Sequence, residues 1–315
     1  MLALTFDGKA SLRETADPHP GRGEALIRVS LAGICATDLE ILKGYSDFRG
    51  ILGHEFVGVV RSAEDSSLVG ERVVGEINCP CRECSLCREG LGNHCPARRV
   101  LGIWGKDGAF ANYLTLPQEN LHRVPQGLSD EEAVFTEPLA SCYQILEQVP
   151  LRAGERVIVL GDGRLGLLAA QVLEGAGARV ALLGHHEEKL SKLKGKGIST
   201  FLDAGELKER ADLVVEATGS PRGLVEAMSL VRPRGRVVLK STYAGSYPLN
   251  LSPAVIDEVT LLGSRCGPFP RALKALDRGE VDVRIIITES YSLREGLRAL
   301  EAARRPGTLK VLIRP

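Results

Sequence analysis

Five of the chain's eight cysteines, Cys79, Cys81, Cys84, Cys87 and Cys95, fall within 17 residues. In a chain without secretory features, clustered thiols read as metal ligands rather than disulfides. Cys81-x2-Cys84-x2-Cys87-x7-Cys95 offers four thiolates, enough to close a tetrahedral zinc site. The two-residue spacers let one tight loop aim successive sulfurs at a single ion. A site closed by four cysteines leaves no position for substrate, so the zinc it holds is structural. Cys79 is a fifth thiol able to compete, although Pro80 stiffens the backbone beside it.

A second set of ligand types is spread more widely. Cys35 follows the run Ala25–Leu31, His54 and Glu55 stand in Gly53-His54-Glu55-Phe56, and Glu137 stands in Thr136-Glu137-Pro138. A thiolate, an imidazole and a carboxylate from separate segments make an open zinc site, with room for water or substrate. Each residue also has an ordinary reading: Cys35 as a small core hydrophobe, His54 as a satisfied core histidine, Glu55 and Glu137 as solvated carboxylates. Spacing alone does not choose between them.

The third constellation is Gly161-Asp162-Gly163-Arg164-Leu165-Gly166. It follows the apolar run Arg156–Leu160 and opens a helical pattern, which is the setting a dinucleotide-binding G-x-G-x-x-G requires. Gly161 and Gly163 permit the turn and the approach of pyrophosphate to backbone, and Gly166 permits close helix–strand packing. Arg164 and Leu165 begin the helix whose N-terminus receives the phosphates. The next strand, Val180–Leu183, ends at Gly184, where NAD-binding chains usually carry an acid for the ribose hydroxyls. With no carboxylate at 184, and with His185, His186 and Lys189 following, the sequence favours NADP over NAD. Glu187 or Glu188 remains a candidate for the ribose.

These residues need a scaffold, and the surrounding pattern describes one. Ala25–Leu31 alternates as a half-buried strand. Arg156–Leu160, Val180–Leu183, Leu213–Ala217, Val237–Leu239 and Val259–Leu262 alternate with helical segments, which predicts a parallel sheet. The third of these strands runs into Thr218-Gly219, placing Thr218 at the nucleotide, and Ser220 with Pro221 reads as a helix start. Ser292-Leu293-Arg294-Glu295 is a capping box, and Lys310–Ile313 reads as a closing strand. The 315 residues are 44% hydrophobic and 25% charged, with 40 basic residues against 40 acidic ones. That balance argues against nucleic acid or an anionic membrane as partner, and against reading the cysteine lobe as a zinc ribbon for nucleic acid. No apolar run is long enough for a membrane span, and the first residues lack a signal-peptide pattern, so a cytoplasmic location is expected.

Cys35-Ala36-Thr37-Asp38, Gly53-His54-Glu55, the lobe ending in Gly92-Asn93-His94-Cys95, Asp107–Tyr113, Glu137-Pro138-Leu139-Ala140 and the glycine loop occur in one order. Together they resemble the zinc-dependent medium-chain alcohol dehydrogenase and reductase family, near its sugar and polyol dehydrogenases. The resemblance spans nearly the whole chain, with less sequence than usual between Cys35 and His54. It implies an α/β protein: a GroES-like β-rich catalytic domain at 1–137 and 267–315, and a Rossmann doubly wound parallel sheet at 138–266.

The resemblance also assigns roles. Cys35, His54 and Glu55 would hold a catalytic zinc, with Glu137 as a further, sometimes exchangeable, ligand. Cys81, Cys84, Cys87 and Cys95 would hold a structural zinc, giving two zinc ions per chain. Thr37 would receive the substrate proton. Glu40 stands where many relatives place a relay histidine and where glucose-dehydrogenase-like members also carry a carboxylate. Tyr45, Trp104 and Arg265 fall at pocket positions. The implied reaction moves a hydride between an alcohol, polyol or sugar hydroxyl, or the matching carbonyl, and a nicotinamide cofactor, in a homodimer or homotetramer joined through the nucleotide domain. The competing reading is a nucleotide-binding sensor or structural protein on the same fold without catalysis.

Overall fold

The structure is a computed structural model and describes residues 1–44, 47–242 and 247–315. The chain divides into two compact units, Met1–Glu137 with Ile287–Pro315, and Pro138–Ile286. The return to the first unit therefore falls at 287, not at 267 as the resemblance implied. The reason is local. Helix Phe269–Asp277 buries Phe269, Ala272, Leu273, Ala275 and Leu276, and the segment after it is tied to the second unit by Gln171. Gln171 donates to Asp282 O at 3.2 Å and accepts from Asp282 N–H at 2.9 Å.

The first unit is built on a seven-stranded sheet around strand Glu24–Gly33, which alternates buried and partly buried side chains as its sequence predicts. Strand Glu24–Gly33 pairs antiparallel with strand Glu55–Ser62, placing Gly33 opposite Glu55. On its other edge it pairs antiparallel with the last strand, Lys310–Arg314, placing Gly33 opposite Leu312. These two registers bring Cys35, His54, Glu55 and Lys310 to the same end of the sheet. A short helix, Ala36–Ile41, follows Cys35, which is its N-cap. Gly53 has φ +95°, and a Cβ there would strike the Phe110 ring, so only glycine fits the turn into His54.

The second unit is a six-stranded, all-parallel sheet. Its spatial order is Ser199–Phe201, Arg179–Leu183, Arg156–Leu160, Ala211–Glu216, Val231–Leu239, Thr260–Gly263. In order of appearance this is 3-2-1-4-5-6, the dinucleotide-binding arrangement, whose switch point lies beside the first strand. The β-branched runs are buried on both faces, as parallel strands require. Strand Ser199–Phe201 lacks an apolar run and had no sequence signal. The helix expected at Ser220-Pro221 begins instead at Gly223, because Ser220 Oγ accepts from Arg222 N–H at 3.2 Å and holds a turn first.

Candidate functional site

Among the described residues, two groups of metal-ligating side chains gather their ligand atoms within 4.8 Å of one another: Cys81, Cys84, Cys87 and Cys95, and Cys35, His54 and Glu55. In the first, Cys84 and Cys87 sulfurs are 3.5 Å apart, Cys81 and Cys95 3.5 Å, Cys84 and Cys95 3.9 Å, and Cys81 and Cys87 4.0 Å. A tetrahedron of thiolates about 2.3 Å from zinc has edges of about 3.8 Å, so the donor set fits zinc. Without a cation the thiols cannot ionise together. Backbone N–H groups of Glu83 and Cys84 draw Cys81 down to about 7, while desolvation and Cys84 push Cys87 up to about 12. Cys79 lies outside the group, buried on strand Asn78–Cys79, where burial raises its thiol to about 11.

In the second group Cys35 is half-buried, while His54 and Glu55 are buried. His54 Nδ1 is 3.2 Å from Asp38 Oδ1, and Asp38 Oδ2 accepts from the Cys35 backbone N–H at 2.8 Å. Asp38 is fully buried and holds both neighbours in place, a carboxylate–histidine pairing common behind metal sites. Sequence reasoning gave Asp38 no role. The signal was its place three residues after Cys35, the N-cap–N3 spacing of a capping box. Burial disfavours the His54 imidazolium, but the charges of Asp38 and Cys35 outweigh it and hold the pKa well above the usual value.

Glu55 is not solvated. Its Oε2 accepts from Lys310 Nζ, and both side chains are 1% exposed. Lys310 also donates to Ile34 O at 3.4 Å and lies 5.4 Å from the centre of the Phe135 ring. His54 Nδ1 and Asp38 Oδ1 face each other, whereas buried Glu55 Oε1 has no hydrogen-bond partner. A buried carboxylate oxygen without a partner, beside a half-buried thiol, fits a cation-binding site. The donor set, one sulfur, one imidazole and one carboxylate, suits zinc with an open position. Lys310→Met is expected to cost the metal-free protein about 3–5 kcal/mol, because it strands a buried carboxylate. The cost should shrink when zinc is added, since a cation then faces Glu55. Chemical denaturation with and without zinc measures both, and equal losses would dissociate Glu55 from metal binding.

The remaining expected residues fall as follows. Thr37 Oγ1, in the first turn of the helix that Cys35 caps, lies 3.9 Å from Cys35 Sγ. Glu40, on that helix, pairs with Lys43 at 2.7 Å. Glu137, in the first turn of helix Thr136–Gln148, is not in the three-residue group. Trp104 is 58% exposed between strands Arg99–Leu101 and Gly105–Lys106, and Arg265 O accepts from Lys240 Nζ at 3.1 Å. Tyr45 lies outside the described residues.

The glycine loop joins strand Arg156–Leu160 to helix Arg164–Gly175, with Gly163 as N-cap. Gly161 has φ +106°, and a Cβ there would lie 2.6 Å from Ala217 O. A Cβ on Gly166 would strike Gly161 O, so this glycine closes the turn itself as well as the helix packing. Gly163 has nothing within 4 Å of its Cβ position, leaving open space at the helix N-terminus. Thr218 is occupied: its N–H and hydroxyl both reach Glu216 Oε1, at 2.8 and 2.6 Å.

At Gly184 the structure corrects the sequence. The space beyond this glycine is not free of charge. Asp162 fills it, Oδ2 accepting from the N–H groups of His185 and His186 at 2.7 Å each and lying 3.0 Å from His186 Nδ1. Lys189 Nζ is 4.0 Å from Asp162 Oδ1. The His186 ring and the Lys189 ammonium, two of the groups expected to receive a 2′-phosphate, thus face a carboxylate, as does the His185 backbone N–H. Gly184→Asp would not test the point, because its Cβ would lie 2.5 Å from Asp162 Cβ.

A parallel sheet in 3-2-1-4-5-6 order with a glycine loop, joined in one chain to a β-rich unit carrying two metal-ligand clusters, defines a nucleotide-dependent zinc oxidoreductase. Residues 21–126 match the alcohol dehydrogenase GroES-like domain and residues 165–278 the zinc-binding dehydrogenase domain. A sorbitol dehydrogenase from Halalkalibacterium halodurans is 30% identical, over 98% of this chain and 96% of its own. An alcohol dehydrogenase from Escherichia coli CFT073 complexed with NADH superposes with TM-score 0.91 at 27% identity, covering 100% of this chain and 99% of the other. A zinc-binding dehydrogenase from Sinorhizobium meliloti 1021 bound to NADP does so with TM-score 0.91 at 28% identity, again over 100% and 99%. The chain belongs to the zinc-dependent medium-chain alcohol dehydrogenase-like family, near its sugar and polyol branch, and is a nicotinamide-dependent oxidoreductase of CH–OH groups.

Proposed function

We propose that this chain oxidises a secondary hydroxyl of a polyol or sugar, or reduces the matching carbonyl, at a zinc held by Cys35, His54 and Glu55, and that it carries two zinc ions. The observation that carries the reading is the convergence of those three ligand atoms within 4.8 Å, with buried Glu55 Oε1 lacking another partner. The second ion belongs to Cys81, Cys84, Cys87 and Cys95, and Glu137 serves as an exchangeable further ligand. Lewis acidity that lowers an alcohol's pKa, and hydride acceptance by the nicotinamide ring, are the chemistry these groups supply when bound. The chain's own residues do the rest. Asp38 fixes the His54 ring, with Nδ1 toward itself, which leaves Nε2 as the nitrogen for a metal. Lys310 anchors Glu55 by one oxygen and leaves Oε1 for a metal. Thr37, beside the Cys35 sulfur, offers the hydroxyl that accepts the substrate proton, and Glu40, a carboxylate on the same helix, is the group that would release it to solvent, with Lys43 as its counter-ion. The nucleotide is held at Gly161, Gly163, Arg164, Leu165 and Gly166, and flanked by Thr218.

The intact ligand set disfavours a sensor that has lost catalysis. A homo-oligomer joined through the nucleotide unit is supported by strand Thr260–Gly263, which among the described residues pairs on one side only, and by Val255 and Ile256, 77% and 78% exposed nearby. A turnover screen of sugars, polyols and simple alcohols, run with metal analysis and light scattering on one preparation, tests the proposal. Two zinc ions per chain, turnover of a polyol or sugar, and a mass of two or four chains are expected. Nucleotide binding without turnover of any alcohol or carbonyl would favour the sensor.

A further inference from the structure

Position 162 is the variable residue between the first two glycines of the loop, and nothing about a dinucleotide motif requires an acid there. Here the acid leans across to the end of the neighbouring strand, Arg179–Leu183. Gly184 makes this possible: any side chain at 184 would collide with Asp162, whose Oδ2 lies 2.6 Å from the Cβ position. Two successive backbone N–H groups, of His185 and His186, point at one Asp162 oxygen at 2.7 Å, with the His186 ring at 3.0 Å and Lys189 at 4.0 Å from the other oxygen. Consecutive N–H donors beside a lysine ammonium make an anion seat. The chain has put its own carboxylate in it. The Asp162 side chain is 10% exposed. Burial would raise its pKa, but the bonds from His186 and from the two backbone N–H groups hold it below the usual carboxylate value.

A ribose 2′-hydroxyl needs an acceptor, whereas a 2′-phosphate needs donors and no adjacent negative charge. We infer that Asp162 is the residue that selects the cofactor: it fills the seat a 2′-phosphate would take, presents Oδ1 as the ribose acceptor, and makes the chain prefer NAD(H) over NADP(H). The glycine loop thereby supplies the carboxylate that the end of the second strand lacks. The inference rests on the reading of the loop as a nicotinamide dinucleotide site.

The test is direct titration of the purified holoprotein with NADH and with NADPH, followed by nicotinamide fluorescence, so the readout is affinity rather than turnover. Wild type is expected to bind NADH at least about tenfold more tightly. Asp162→Ser keeps Gly184 uncrowded and frees His185, His186 and Lys189. It should reverse the preference, moving the ratio of the two dissociation constants by about a hundredfold, as loss of one charge repulsion and gain of charged hydrogen bonds would. Asp162→Asn keeps the size of the side chain and removes its charge. It should move the ratio in the same direction by less, and it carries the test if the serine variant does not fold. Tighter binding of NADPH by wild type would overturn the inference while leaving the dinucleotide site standing. A ratio unchanged in both variants would do the same, making Asp162 a loop brace only. Failure of folded wild type to bind either nucleotide would remove the dinucleotide reading and this inference with it.

Discussion

His54→Ala is expected to lower kcat/KM by at least about a thousandfold while leaving NADH affinity within a factor of about two. The size follows from what the ring does. His54 is 2% exposed and one of three ligand atoms that converge. Two ligands and an open pocket hold zinc weakly, so the metal's several kcal/mol of charge stabilisation go with it. The ring is also the partner of Asp38 Oδ1 at 3.2 Å, so its loss leaves a buried carboxylate uncompensated. The residues proposed to bind the nucleotide lie in the other compact unit, which is why NADH affinity should hold. Asp38→Asn provides the graded comparison. It keeps all three ligands and should cost about 10–100-fold, the usual effect of disturbing a residue that orients a metal ligand. Metal analysis, turnover and NADH titration on the same preparations separate these effects. Near-normal turnover by folded His54→Ala would place the chemistry elsewhere in the molecule.

For the cysteine lobe the large effect is on stability. Cys95→Ser should remove one of two zinc ions and lower Tm by about 10 °C or more, with the other zinc retained. Cys95 is fully buried and its sulfur neighbours both Cys81 and Cys84, at 3.5 and 3.9 Å. The lobe's regular structure between Cys81 and Cys95 is slight, although Arg82 donates to Asn120 Oδ1 at 2.8 Å. Its helix Ser85–Arg88 is four residues long, too short to persist without tertiary support, and Leu91 is 44% exposed. Without the ion the lobe loses the bonds that cross-link its four sulfurs. Calorimetry with metal analysis reads both quantities. An unchanged Tm with two zinc ions retained would mean that the four sulfurs are not a metal site.

Much of this was legible because it is local. The lobe's four sulfurs are spaced so closely that loop geometry alone can bring them together. The glycine loop is read from six consecutive residues between a β-branched run and a helical pattern. The strands that alternate or run apolar, Glu24–Gly33 and Arg156–Leu160 among them, form as their side-chain periods require. Strand Ser199–Phe201 was not legible, since it is polar and held by parallel pairing to Arg179–Leu183 rather than by its own pattern. The boundary at 286 was not legible either, because it depends on the two bonds between Gln171 and Asp282.

By itself, then, the sequence determined the four-cysteine lobe, the nucleotide loop and the order of the elements, since each depends on residues close together along the chain. The tertiary structure decided which side chains meet. Pairing Gly33 with Glu55 carries Cys35 to His54, and pairing Gly33 with Leu312 carries Lys310 across 255 residues onto Glu55. Only that second register reveals that Glu55 has a buried cation as partner. The same holds at the nucleotide end. Gly184 read alone is an empty position, but parallel pairing of Arg156–Leu160 with Arg179–Leu183 sets it beside Asp162. A charge that looks absent along the chain is present in space, because strand register, not sequence distance, determines what faces Gly184.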